Sequence, residues 1–190
     1  MYAMFAQVPL LEQLDFSSLR IAGTGGASLP AGVLHKINQS MGVDMAEGYG
    51  LTESTVILMT TPKFVPKKIN SVGMPLPGID LKIVDPEGNT VPPHAVGEII
   101  FRGPNMMKGY YKKLEETENT IKDGYVYTGD LAYVDEEGYH FIVDRKKDII
   151  IRGGFNIYPR EIEEVLYKHP AIVEASVIGR PDPVFGEKTV

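Results

Sequence analysis

The polar and apolar positions change their period twice along this chain. The apolar run 19–22 enters the glycine-rich stretch Gly23-Thr24-Gly25-Gly26-Ala27. After it, Val33, Leu34, Ile37 and Met41 recur at helical spacing behind Pro30, which predicts a strand, a glycine turn and a helix in that order. A second buried strand is expected over 43–46, and a β-like composition resumes over 55–60. Strands interleaved with a helix favour an α/β layer whose loops gather at one sheet edge.

From about residue 71 the period shortens to two. Residues 79–84 alternate, 85–89 carry turn chemistry, and 97–102 form another apolar-rich run, so a meander or barrel-like sheet is expected. Runs 125–128, 131–134 and 139–143 continue it, with Asp135-Glu136-Glu137-Gly138 as a hairpin turn. The charged run Arg145-Lys146-Lys147 marks a boundary. Beyond it the pattern predicts a strand over 148–152, a helix over 159–168 and a third β-type element over 171–179. Pro159 suits the first turn of that helix, Glu161, Glu163 and Glu164 suit its positive end, and Pro170 stops it.

Composition narrows the function classes. With 190 residues and 43% hydrophobic content the chain has enough apolar material for a packed core. It has no cysteine, which excludes thiolate metal sites and thiol catalysis and fits a reducing compartment. A formal charge of −6 argues against binding along a nucleic-acid backbone. Residues 1–6 lack a basic start, and no run approaches the roughly 18 apolar residues of a membrane span. No signal peptide or spanning helix is expected, and the cytoplasm is the default location.

Several short motifs carry chemistry. Glycines at a strand end let backbone approach a planar ligand, although Gly23, Gly25 and Gly26 also read as a simple tight turn. In Glu47-Gly48-Tyr49-Gly50-Leu51-Thr52-Glu53 an aromatic lies between two small residues and precedes a hydroxyl and a carboxylate. Tyr49 suits stacking on a purine, Thr52 donation to a phosphate oxygen, and Glu53 ligation of Mg²⁺. Tyr127-Thr128-Gly129-Asp130 ends in a carboxylate able to accept from both hydroxyls of a ribose. His35, His94, His140 and His169 are scattered without ligand-like spacing, and Met106-Met107 reads as packing.

Together with the run Asp144-Arg145-Lys146-Lys147 to Glu163, these elements resemble the adenylate-forming superfamily of acyl-CoA synthetases, peptide-synthetase adenylation domains and beetle luciferases. Asp123-Gly124-Tyr125, 127–130, 144–147 and 156–163 make the bacterial fatty-acid–CoA ligases the nearest likeness, with coumarate-type ligases close behind. The resemblance implies an α/β domain with a barrel-like portion followed by a smaller α+β lid: 1–145 as the C-terminal part of the large domain (1–70 sheet, 71–145 barrel-like) and 146–190 as the start of the lid.

It also implies ATP, Mg²⁺ and coenzyme A as cofactors, and a carboxylic acid, fatty in the leading reading, as substrate. By the same resemblance Gly26, Ala27, Glu47, Gly48, Tyr49, Gly50, Thr52, Asp130, Ile142 and Arg145 bind nucleotide. Thr52, Glu53 and Arg145 carry the reaction, Glu53 holds Mg²⁺, Lys147 is the hinge of the lid, and Gly153 and Gly154 line the path of CoA. The family's lysine-bearing phosphate loop is not found before Leu19, and its C-terminal lysine is not present, so an internal piece of a larger ligase, inactive alone, is expected. An amino-acid adenylation domain and a nucleotide-binding remnant without chemistry are the alternatives. Peripheral membrane contact and homo-oligomerisation stay open.

Overall fold

A computed structural model describes the chain apart from Leu10, Ser28, Pro30, Asp44, Pro170 and Val173, together with the side chains of Ala3, Glu12 and Ala31. The roles expected of Pro30 and Pro170 therefore lie outside the described residues. The first layer starts with the short helix α1 (Tyr2–Phe5) and continues through β1 (Gly23–Thr24), α2 (Ala31–Met41), β2 (Ala46–Tyr49), β3 (Met59–Thr60) and β4 (Met74–Pro75). Its sheet runs β1-β2-β3-β4, parallel between β1 and β2 and antiparallel beyond. Helix α2 follows the apolar spacing of the sequence: Leu34 and Ile37 are buried in a cluster with Ala6, Leu11, Ala22 and Met45.

The strands of this layer sit later than their apolar runs. A ladder exists only where a partner backbone runs alongside, and Gly23 and Thr24 face Ala46 and Glu47. The strand expected over 19–22 is thus found at Gly23–Thr24. The one expected over 43–46 is found at Ala46–Tyr49, which puts Glu47 and Tyr49 on the strand itself. Of the run 55–60 only Met59–Thr60 is strand, because a 3-10 turn at Thr52–Ser54 and positive φ angles at Thr55 and Val56 fold the chain back first.

The second layer is antiparallel: β5 (Asp80–Val84), β6 (Gly97–Arg102), helix α3 (Leu114–Thr120), β7 (Ile121–Lys122), β8 (Tyr125–Val134) and β9 (His140–Arg145). Its order is β5-β6-β8-β7 with β9 also on β8. The two runs expected at 125–128 and 131–134 form one ten-residue strand, β8, whose register slips between Leu131 and Ala132. A bulge of this kind bends a long strand without ending it. The hairpin turn is as expected, with the Gly138 N–H bonded to the Asp135 carbonyl at 3.0 Å. Helix α3 and β7 carry no apolar periodicity and were not legible. Phe101, Ile99, Val126 and Ala132 are fully buried with Leu58 and Met59, so one core joins both layers and packs against Tyr49, Leu51 and Ile142.

His140 stitches the layers together. Its backbone N–H donates to Gly73 O (2.9 Å), and its carbonyl accepts from the Val72 N–H (3.0 Å) and the Ser71 hydroxyl (2.9 Å). Burial lowers the imidazole pKa, against the carbonyls of Gly138 and Gly73 and the charge of Asp135. The unfolded chain then takes up a proton near the ordinary value of about 6.5, and the folded chain only at lower pH. The stability this neutral histidine contributes is therefore present above pH ~6.5 and lost as pH falls through that value. His140→Gln is expected to remove this part of the pH dependence, read as the difference between the two proteins' denaturation midpoints at pH 7.5 and 5.5.

The third part holds β10 (Ile150–Arg152), β11 (Phe155–Ile157), α4 (Pro159–Leu166), β12 (Gly179–Asp182) and β13 (Gly186–Thr189), in the sheet order β11-β10-β13-β12. The strand expected over 171–179 does not form among the described residues of 171–178, and β12 begins only at Gly179. Two described amides of that run turn to side chains, Val177 N–H to Glu163 Oε1 at 2.8 Å and Ala175 N–H to the Tyr167 hydroxyl, while Ile178 N–H donates to Val190 O at 3.2 Å. The hairpin β12–β13 takes the ladder positions. Pro159 is the first residue of α4, with Glu161 in its first turn.

Candidate functional site

The site begins with strand pairing. In the β8–β9 ladder Asp130 and Arg145 are direct partners, so two residues fifteen apart in sequence share one edge. Asp130 Oδ1 lies 3.4 Å from Arg145 Nε, and Oδ2 accepts the Tyr49 hydroxyl at 2.5 Å. Below them the Thr128 hydroxyl donates to Ile99 O (2.8 Å) and accepts the Asp130 N–H (3.1 Å). The Asp130 side chain is 13% exposed and that of Arg145 61%, a part-buried acceptor beside a cation open to solvent.

The environment tunes these groups. Burial raises the Asp130 pKa, opposed by the Tyr49 hydroxyl and Arg145. The Tyr49 phenol is held well above its usual range, first by burial and then by the Asp130 charge. Burial also raises Glu47, with Arg160 opposing and Glu164 adding to the rise.

Around this pair opens a cleft of ≈ 460 Å³, lined by Gly26, Ala27, Glu47, Gly48, Tyr49, Gly50, Asp130, Ile142 and Arg145. These are nine of the residues expected to face nucleotide. The cleft's apolar part lies between the small residues of the first layer and Ile142, and Asp130 and Arg145 stand at its polar end. The cleft's other wall, which the sequence did not reveal, comes from α4 and the segment before it: Asp144, Asp148, Arg160, Glu163, Glu164 and Tyr167. Arg160 fastens that wall, donating from Nη1 to Ile142 O (2.9 Å) and from its backbone N–H to Asp144 Oδ2 (3.2 Å).

Leu51, Asp130 and Arg145 also line an adjoining cleft of ≈ 480 Å³ that contains Glu53 and Lys147. Glu53 Oε1 accepts the Tyr110 hydroxyl at 2.6 Å. Burial, followed by that bond, raises the Tyr110 pKa. Thr52 is exposed and stands outside the lining of either cleft. Gly153 and Gly154 line neither. They form the two-residue turn of the β10–β11 hairpin, with φ of 57° and 86°, a turn that requires positive φ at both positions.

One further residue, Glu98, escaped the sequence reading. The Glu98 carboxylate accepts the Gly129 N–H (3.0 Å) and Lys146 Nζ (2.8 Å), while the Lys146 N–H donates to Gly129 O (2.8 Å). The position next to Lys147 is thereby tied to the turn that carries Asp130. A lone carboxylate inside the apolar strand Gly97–Arg102 was the available signal. Glu98→Ala is expected to speed tryptic cleavage after Lys146 about tenfold by freeing this segment to open. An unchanged cleavage rate would contradict the tie.

No group of three or more side chains suited to a metal occurs among the described residues. Glu53 nonetheless fits one kind of ion. Its Oε2 has no partner among the described residues, and Mg²⁺ commonly takes one or two carboxylates, completing its shell with phosphate oxygens and water.

Comparison with known proteins gives the family. Residues 1–111 match the AMP-binding enzyme family and residues 161–190 its C-terminal domain. The chain belongs to the AMP-binding enzyme family. It is 46% identical over 180 residues to a long-chain-fatty-acid–CoA ligase of Bacillus subtilis, covering 94% of this chain and 32% of that protein. It is 43% identical over 188 residues to a feruloyl-CoA synthase of Amycolatopsis, covering 98% and 38%. Among solved structures, ATP-bound MatB from Rhodopseudomonas palustris superposes with a TM-score of 0.93 at 37% identity, over 99% of this chain and 38% of that one. The anthranilate CoA ligase AuaEII with anthranoyl-AMP gives 0.89 at 33%, over 99% and 36%. The chain thus spans about a third of the length of the relatives it matches. As a member of the AMP-binding enzyme family it has the expected α/β and barrel-like architecture. No described helix is long and apolar enough to cross a membrane.

Proposed function

We propose that this chain carries the adenine, ribose and cation-facing elements of an AMP-forming acid–CoA ligase, located in the cytoplasm and acting on a fatty acid. The observation that carries the reading is the convergence of Tyr49, Asp130 and Arg145 on one cleft floored by Gly26 and Ala27. The fatty-acid substrate rests on the similarity to long-chain-fatty-acid–CoA ligases.

In this reading Asp130, held in place by Tyr49 and Thr128, accepts the ribose hydroxyls. Arg145, mostly exposed and anchored by Asp130, reaches toward the α-phosphate and offsets charge that builds there as the substrate carboxylate attacks. That attack forms the acyl–O–P bond and releases pyrophosphate. The CoA thiol, its proton released to solvent, then forms the C–S bond of the thioester as the acyl C–O bond breaks and AMP leaves with that electron pair. Mg²⁺ when bound neutralises phosphate charge, and Glu53 is the residue that would hold it, with Thr52 beside it toward the phosphates. Lys147 is the pivot about which residues 146–190, the lid, reorient, bringing Gly153 and Gly154 to the path of CoA.

The test is acid-dependent ATP–pyrophosphate exchange and CoA-dependent AMP release, with fatty, aryl and amino acids, on the complete gene product and on these 190 residues alone. Exchange with fatty acids by the complete protein, lost in Glu53→Ala, is the result expected. Preference for an aryl or amino acid would move the substrate class. Nucleotide binding without turnover of any acid would leave the fold without the chemistry.

A further inference from the structure

Glu53 sits on a loop that does not hold its shape unaided. Thr55 and Val56 have φ of 52° and 88°, and a β-branched residue in that region is strained. Such strain persists only where neighbours over-determine the backbone. Here the neighbour is the segment 103–110, which crosses the loop. Asn105 Nδ2 donates to the carbonyls of Ser54 (2.9 Å) and Ile57 (3.0 Å). The Thr55 hydroxyl donates to Asn105 O (2.9 Å), and the Met107 N–H donates to Glu53 O (2.8 Å).

The last contact of this strap is with the carboxylate itself, Tyr110 hydroxyl to Glu53 Oε1. Tyr110 is fixed in turn. Its backbone N–H donates to the Thr117 hydroxyl (2.9 Å), which donates to Lys113 O (2.7 Å) at the start of α3. Helix α3, which lines neither nucleotide cleft, is therefore connected to Glu53 through two hydrogen bonds and one tyrosine.

We propose that Tyr110 is a positioning residue for Glu53, engaging Oε1 so that Oε2 is presented to a divalent cation carried by the nucleotide phosphates. The inference rests on the cation role given to Glu53 above. A carboxylate whose rotamer is already fixed need not be ordered when the ion arrives, and partners that orient a metal ligand commonly alter affinity about 10- to 100-fold when removed.

The probe is Mn²⁺ with ATP, read as loss of the free-ion signal in electron paramagnetic resonance, alongside calorimetric titration of AMP in metal-free buffer. Tyr110→Phe is expected to weaken Mn²⁺ about 10- to 100-fold and leave AMP affinity unchanged. In a Glu53→Gln background the same change is expected to shift Mn²⁺ affinity less than about twofold, since coupled residues are not additive. Unchanged Mn²⁺ affinity in Tyr110→Phe with a clear loss in Glu53→Gln overturns the positioning role alone. No loss in Glu53→Gln overturns the cation role of Glu53 and this inference with it. A parallel loss of AMP affinity in Tyr110→Phe shows a general structural role and also overturns the inference. Should Tyr110→Phe not fold, Thr117→Val, which releases Tyr110 without touching Glu53, is expected to weaken Mn²⁺ in the same sense, and unchanged affinity there overturns the proposal.

Discussion

Asp130→Ala is expected to weaken AMP binding about 100-fold or more, the largest effect of truncating any polar side chain in the cleft. A hydrogen bond to a charged group contributes about 1.5–3 kcal/mol, and a ribose offers this carboxylate two. At about 1.4 kcal/mol per factor of ten, losing both exceeds a hundredfold. The substitution also strips Arg145 of its partner and leaves the Tyr49 hydroxyl without an acceptor. Asp130→Asn keeps an acceptor for Tyr49 while removing the charge, and should fall between the two. Calorimetric titration of AMP into the three proteins checks the order. Equal affinities in wild type and Asp130→Ala would remove Asp130 from the site.

Gly50→Ala is expected to lower stability by about 3 kcal/mol and to abolish nucleotide binding with it. A Cβ at position 50 would lie 1.8 Å from Val56 O and 2.6 Å from Ile57 Cα. Both are backbone, so no rotamer change relieves the clash, and the cost sits at the upper end of the range for overpacking. The backbone has to move where it matters most. Leu58 N–H donates to Tyr49 O (2.8 Å) and Val56 N–H to Leu51 O (3.2 Å), so opening this turn displaces Tyr49 on one side and Glu53 on the other. Urea denaturation followed by AMP titration measures both effects. A variant with wild-type stability would show that the turn 50–57 has room the structure denies it.

The legible parts of the fold were those in which local pattern and tertiary partner agree. Leu34 and Ile37 mark the buried face of α2, strand Gly97–Arg102 was read to the residue, and Gly138 closes its hairpin. The pattern misled where a partner decided. The apolar run 19–22 is buried at Ala22, yet the ladder pairs Gly23 and Thr24 with β2, and Ala22 joins it only through its carbonyl. The run 171–179 looks like a strand, but the amides of Val177 and Ala175 are taken by Glu163 and Tyr167. Helix α3 has one apolar residue, the exposed Leu114, and no buried residue, so burial left no mark on it.

The site divides along the same line. Motif residues such as Gly26, Tyr49, Asp130 and Arg145 were found because their types state a chemistry, and the β8–β9 register brings the last two together. Glu98, Tyr110 and Arg160 act through other residues rather than on a ligand. Their types are ordinary in a strand, a loop and a helix, and only the folded distances single them out.

The most direct measurement is calorimetric titration of this chain with AMP and with 2′,3′-dideoxy-AMP. AMP needs only the adenine, ribose and α-phosphate elements proposed for the cleft. Saturable AMP binding, weakened about tenfold or more when the ribose hydroxyls are removed, is the result expected of a cleft organised around Asp130. Equal binding of the two nucleotides, or none of either, would contradict it.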